Sequence, residues 1–323
     1  MRWSCFAAYA MALAVCAPSP GDAQPYPSKT VTIVVPFPAG GVPDSVARAS
    51  AELLAQKTGQ PFIVDHRPGA TQMIGMRSVA QARPDGHTLL FGTGTGLTIN
   101  PNLKKDLPFD TLKDFAPISF LYSAPLFLVT RPGLPVNSVK DLIELAKREP
   151  GKLNYGSGGP GHSSHLAAEL LKVLAGIDIT HIPYQGTAPA IRDVMAGHVD
   201  LMFIASGVQY SDKGQVKLLG VTGAKRSSAA PELPTLAEAG VPGYSATAWF
   251  GLLAPAGTPN DVIASLAAMV KDTIQTGAMQ QKVKGNATEM EFAGSNPDEF
   301  REFIRSEFAL WQRVIKAANI DAR

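Results

Sequence analysis

Val31-Thr-Ile-Val-Val35 runs directly into Pro36-Phe-Pro-Ala-Gly-Gly41, and Val46, Ala49, Leu53 and Leu54 then recur at three- and four-residue spacing. A continuous β-branched run reads as a strand covered on both faces. The Pro/Gly break ends it, and the spacing that follows predicts an amphipathic helix starting near Pro43. Such a strand–turn–helix unit implies parallel strands joined by crossover helices.

The same unit recurs along the chain. Phe62-Ile-Val64 predicts a strand, Thr71 to Ala82 a helix, and Thr88-Leu-Leu-Phe91 a third strand that ends in Gly92-Thr-Gly-Thr-Gly96. Ile118 to Tyr122 and Leu126 to Thr130 are extended passages. A second series opens with Ser138 capping a helix to about Arg148, then a strand at Leu153-Asn-Tyr155. The turn Gly156-Ser-Gly-Gly-Pro-Gly161 leads into a helix from His162 to Leu174. Ile179 to Tyr184, a helix near Pro189 to Ala196, Val199 to Ile204 and Val216 to Val221 continue the alternation. Ala248-Trp-Phe-Gly-Leu-Leu253 returns to strand, and helices start at Thr258 and Asn296. The stripe Phe300, Ile304, Phe308, Trp311 and Ile315 on the last of these reads as a core face.

Composition sets the outer bounds. With 323 residues, 45% hydrophobic and 17% charged, the chain can bury more than one core. The balance of 29 basic against 27 acidic residues, a net +2, argues against a nucleic-acid or anionic-membrane surface. A coiled coil, a collagen-like rod and a disulfide-stapled miniprotein are excluded. At the start, Arg2 precedes the apolar run Phe6 to Val15 and a small-residue stretch through Ala23. This pattern predicts a secretory signal peptide over residues 1–23, and the run is too short to span a bilayer. Leu13-Ala-Val-Cys16 is lipobox-like, but Val15 fits that motif poorly, so soluble export is expected rather than a lipid anchor on Cys16. Cleavage removes Cys5 and Cys16, the two cysteines, which takes thiol catalysis and thiolate metal sites out of the mature chain.

Three turns carry the chemistry: Pro38 to Gly41, Ser157 to Gly161 and Gln185 to Ala188. In each, a strand stops, a Gly/Ser/Thr-rich loop follows and a helix begins. A helix start offers unpaired N–H donors and about half a positive charge, which favours a bound anion. Ser157, Ser163 and Thr187 add hydroxyl donors. Asp44 sits in a first helical turn, either complementing the dipole or accepting from a ligand, and Arg48 is placed to pair with it. His162 is a possible ligand donor, and His165 an internal hydrogen-bonded residue. Two histidines three apart, without a third ligand, give no metal site. Neither a G-x-G-x-x-G fingerprint, a P-loop, a G-x-S-x-G elbow nor an H-E-x-x-H motif is present, so neither a cofactor nor catalysis is expected.

Tyr26-Pro-Ser-Lys-Thr-Val-Thr-Ile-Val-Val-Pro-Phe-Pro-Ala-Gly-Gly-Val-Pro-Asp44 resembles the opening of Bug proteins, the TctC-type extracytoplasmic solute receptors of tripartite tricarboxylate transporters. The resemblance continues through Arg83-Pro-Asp-Gly-His-Thr-Leu-Leu90, Asn100-Pro101, Leu153-Asn-Tyr-Gly-Ser157, Gly161-His-Ser-Ser-His-Leu166, His181-Ile-Pro-Tyr-Gln-Gly186 and Gly197-His-Val-Asp-Leu-Met-Phe203. It implies an α/β, two-lobed periplasmic-binding-protein fold of type II-like form, with a ligand cleft between lobes and a two-strand hinge. Residues 24–126 plus 248–323 would form lobe 1 and residues 127–247 lobe 2.

The resemblance further implies a monomeric periplasmic receptor, without cofactor, metal or nucleic acid, that hands a small organic carboxylate to membrane permease subunits. A dicarboxylate, tricarboxylate, aromatic acid or amino acid all remain open as that ligand. Carried onto this sequence, the ligand-binding residues are Phe37, Ala39, Gly40, Gly41, Asp44, Thr93 and Thr95 from one lobe. Ser157, Gly158, Gly161, His162, Ser163, Thr187 and Asp200 face them from the other. His162 stands where many relatives carry a small hydroxyl residue, which points to a different ligand shape or charge. A ligand sensor for a signalling partner, or a secreted hydrolase or isomerase using Ser157 or His162, are the alternatives.

Overall fold

The computed structural model describes residues 26–104, 106–283 and 290–317, so the signal-peptide and Cys16 readings lie outside the described residues. In chain order the first half runs β1 Val31–Val35, α1 Gly41–Thr58, β2 Phe62–His66, α2 Met73–Ala80, β3 Thr88–Thr93, α3 Asn100–Leu103 and β4 Phe115–Pro125. Next come β5 Phe127–Thr130, α4 Val139–Arg148, β6 Asn154–Ser157, α5 Ser163–Ala175, β7 Thr180–Pro183, α6 Thr187–Ala196, β8 Leu201–Ile204, α7 Gly207–Ser211 and β9 Lys217–Val221. The chain ends with β10 Thr247–Pro255, α8 Asn260–Gln275, α9 Ala278–Val283, β11 Glu291–Phe292 and α10 Pro297–Ala317. No described helix is long and apolar enough to cross a membrane.

Two sheets result, ordered β11-β4-β10-β3-β1-β2 and β7-β6-β8-β5-β9. The alternation along most of the chain implies parallel strands with crossover helices, whereas both sheets are mixed. β1 is parallel to β2 and β3, whereas β10 runs antiparallel to β3 and β4, and β5 antiparallel to β8 and β9. The physical reason is connectivity. β5 and β10 are entered straight from the other sheet, with no crossover helix to turn the chain around.

The passages between sheets are short and tied together. Leu126 alone separates β4 from β5. Its N–H donates to Thr222 Oγ1 at 2.7 Å and its carbonyl accepts from the Thr222 N–H at 2.9 Å. On the return path the Ala246 N–H donates to the Thr222 carbonyl at 3.0 Å. Buried Thr222 thus bonds to both crossings.

Helix α10 packs on both sheets. Phe300 and Ile304 pack with Val34, Leu90 and Trp249 of the first sheet. Trp311, Val314 and Ile315 join Leu128, Leu166 and Phe203 in the core of the second. Its last turns therefore join the two cores.

Candidate functional site

The loops that follow the strands set the geometry of the site. Gly40 precedes α1 with φ 95° and ψ 163°, and Gly186 precedes α6 with φ 107° and ψ 167°. Only glycine takes this backbone readily, and a side chain on either would project into open space. Two helix starts of the same unusual shape, one per sheet, therefore stand clear of packing.

Asp44 builds the first of them. Its Oδ2 accepts from the Gly40 N–H at 2.9 Å, and its Oδ1 lies 3.0 Å from Arg48 Nε and 2.9 Å from His66 Nε2. Burial pushes this carboxyl up, but the Gly40 amide, Arg48 and His66 outweigh it and hold the group below the usual carboxylate range. His66 Nδ1 in turn contacts the Phe37 carbonyl at 3.0 Å. Asp44, Gly40 and the Phe37 carbonyl are thus spent on loop shape.

In the second sheet the same economy holds. The Gly158 N–H donates to Ser164 Oγ at 3.0 Å, and the Gly161 N–H to His165 Nδ1 at 3.1 Å. Ser157 is fully buried, its Oγ 2.6 Å from His181 Nε2 and accepting from the Gly159 N–H at 3.1 Å. Ser157, Gly158 and Gly161, expected as ligand donors, are taken by the protein's own acceptors and donors.

His162 caps α5. Its Nδ1 accepts from the Ser164 N–H at 3.2 Å and lies 2.9 Å from Ser164 Oγ. An accepting Nδ1 puts the proton of the neutral ring on Nε2, which is left as a donor at an exposed position. Although His162 keeps much of its surface exposed, partial desolvation of the ring by its surroundings holds its pKa below the ordinary histidine value. His165 is buried between Tyr155, His181 and Glu169, as its reading as an internal residue required.

Asp200 corrects the sequence reading. It precedes β8, at the end of the second sheet away from the loops after β6 and β7. Its Oδ1 accepts from Arg131 Nε at 2.8 Å and its Oδ2 from the Asn154 N–H at 3.0 Å. Asp200→Ala is expected to lower stability by ~2–3 kcal/mol, the order for losing a partly buried, hydrogen-bonded charge pair. Chemical denaturation measures that loss, and ligand affinity in the folded variant is expected to stay unchanged.

A cavity of about 180 Å³ lies between the sheets. Thr93, Gly94 and Thr95 line it from the first sheet, Ser163 and Leu166 from α5, and Leu126 with Ala246 to Phe250 from the crossing strands. Glu307 and Trp311 of α10 complete the wall. Glu307 Oε2 accepts from Trp249 Nε1 at 3.1 Å and from Trp311 Nε1 at 3.0 Å. Burial raises the Glu307 carboxyl above its usual range, and the two indole bonds pull the other way.

Of the fourteen residues inferred, Thr93, Thr95 and Ser163 line this cavity, while Ala39, Gly41, His162 and Thr187 lie on loops or helix starts at the same strand ends. The sequence reading placed Trp249 in a strand and Trp311 on a core face, and did not identify these two or Glu307 as site residues. The available signal was Glu307, four residues before Trp311 on an otherwise apolar helix stripe.

A family model described as the tripartite tricarboxylate transporter family receptor, TctC, matches residues 46–320. A UPF0065 protein of Bordetella pertussis is 38% identical over 295 residues, covering 90% of each chain. Rpa4515 of R. palustris, solved with adipate, superposes with a TM-score of 0.73 at 36% identity over 92% of this chain and 99% of its own. MatC of Rhodopseudomonas palustris with bound malate gives 0.70 at 30% identity, over 90% of this chain and 100% of its own.

Proposed function

The chain belongs to the tripartite tricarboxylate transporter family of receptors, and from that premise we propose that it captures a small organic carboxylate between two lobes. It is exported, closes on its ligand and delivers it to a membrane permease. Lobe 1 comprises residues 24–126 with 248–323, and lobe 2 residues 127–247. Closure is a population shift, since a ligand that touches both lobes binds the closed form more tightly.

One observation carries this reading: a single cavity is walled by hydroxyl-bearing loops of both sheets and backed by both crossing strands. Thr95, Ser163 and Thr187 supply hydroxyls, His162 Nε2 an N–H donor, and the first turns of α1 and α6 further amides. Oriented dipoles of this kind hold a carboxylate without an arginine clamp. Adipate and malate, bound by similar receptors, set the ligand class to test first.

The Ser157–His181 pair has the look of a nucleophile and base, but Ser157 has no exposed surface from which to attack. We read the pair as structural. Incubation with ester and amide substrates is expected to yield no product.

The experiment is a thermal-shift screen of organic acids against the mature protein. A cognate acid at 100 times its dissociation constant is expected to add about 2.7 kcal/mol. A flat response across the panel, with protein shown to be folded, overturns the proposal.

A further inference from the structure

Three consecutive non-glycine residues at the carboxyl end of the first sheet have left-handed backbones: Ala70 at φ 46°, Thr71 at φ 55° and Gln72 at φ 77°. Each such residue costs roughly 1–2 kcal/mol relative to a right-handed conformation, and a chain retains such strain where the surrounding structure demands it. Here the demand is visible. Asn100 Nδ2 donates to the Thr71 carbonyl at 2.8 Å, and Lys104 Nζ lies 3.3 Å from Thr71 Oγ1. The loop is held down from outside itself.

The strained turn brings one side chain against a residue of the cavity wall. Thr93 Oγ1, which accepts from the Gly96 N–H at 3.1 Å, donates to Gln72 Oε1 at 2.6 Å. Gly96 leaves room for this, because a Cβ there would stand 2.7 Å from Gln72 Oε1. With its oxygen committed to Thr93, the half-buried Gln72 keeps its NH2 group as a donor. Thr93 lines the cavity, and Gln72 stands directly beside it with part of its surface open.

We propose that Gln72 is a specificity residue of the cleft, its side-chain NH2 presented to a carboxylate group of the bound ligand. This rests on the receptor reading above. Thr93 fixes the amide's orientation, and the left-handed turn sets its reach. A ligand lacking a carboxylate at that end leaves the donor unpaired and binds more weakly.

Two variants separate this role from a structural one, read by calorimetric titration with adipate and malate and by melting without ligand. Gln72→Glu keeps an oxygen acceptor for the Thr93 hydroxyl but replaces the donor with a negative charge. Its unliganded melting is expected to match the parent, while affinity falls at least ~10-fold. Gln72→Gly releases the left-handed strain at φ 77°, so it is expected to melt at or above the parent temperature yet bind more weakly. Parent-like affinity in both variants overturns the inference and leaves the receptor reading standing. Failure of the parent to respond to adipate, malate and the wider acid panel overturns the receptor reading and takes this inference with it.

Discussion

Replacing Glu307 with alanine is expected to destabilise the protein by ~2–5 kcal/mol, the order for leaving two buried donors unsatisfied and opening a void beside them. One carboxylate oxygen accepts from both Trp249 and Trp311, joining crossing strand β10 to helix α10. Trp249 packs against Phe300 and Phe303, which fixes its ring with the indole N–H aimed at the Glu307 position. Glu307→Gln retains an oxygen acceptor and is expected to lose less than half as much. Urea midpoints of the two variants check the comparison, and equal losses would show that charge, rather than hydrogen-bond acceptance, matters at this position. The cavity wall is also altered in the alanine variant, so its affinity for any cognate acid is expected to fall with its stability.

Acidification from pH 6.5 to about 4 is expected to remove roughly 3 kcal/mol through His165 alone. Burial, followed by the neighbouring His181, lowers the His165 pKa from 6.5 to about 4, while Glu169 opposes the shift. Between those values the unfolded chain binds a proton that the folded chain refuses, so stability falls as pH falls. Above 6.5 both states are neutral, and below about 4 both are charged, so the loss is confined to that window. His181, whose pKa burial also lowers, adds in the same direction. The two rings stack 4.1 Å apart, which disfavours charging both. Acidic groups held low act elsewhere: Asp85, at about 2, contributes only as pH falls below the ordinary carboxylate range. Denaturation midpoints measured at pH 7 and pH 4.5 test this, and His165→Gln is expected to flatten the profile. A wild-type midpoint constant across the window would refute the account.

Element identity was legible because local periodicity and turn residues determine it. The run at Val31, the cap at Ser138 and the stripe from Phe300 to Ile315 correspond to β1, α4 and α10. Strand direction was not, since β5 and β10 derive theirs from pairing with distant partners such as Met202 and Phe91. The anion-binding loops were found by composition, but which amides remain vacant was not. Yet the clue was present in part: Asp44 and His165 stand four residues after Gly40 and Gly161, a spacing at which a side chain folds back onto the amide. The left-handed turn at Ala70 to Gln72 carried no such mark, because nothing in those residue types announces a positive φ. Trp249 and Glu307 lie 58 positions apart in sequence, beyond the reach of any local pattern.

Because α10 is anchored by Phe300 to one core and by Trp311 to the other, it behaves like the spine of a book. A swing of one half against the other is expected to pivot near this edge, where Leu126 and Ala246 also lie. Displacement then grows with distance from the pivot. Groups beside Trp311 are therefore expected to shift least, and Ala39 and Thr187, at the starts of α1 and α6, are the ones to label when that motion is measured.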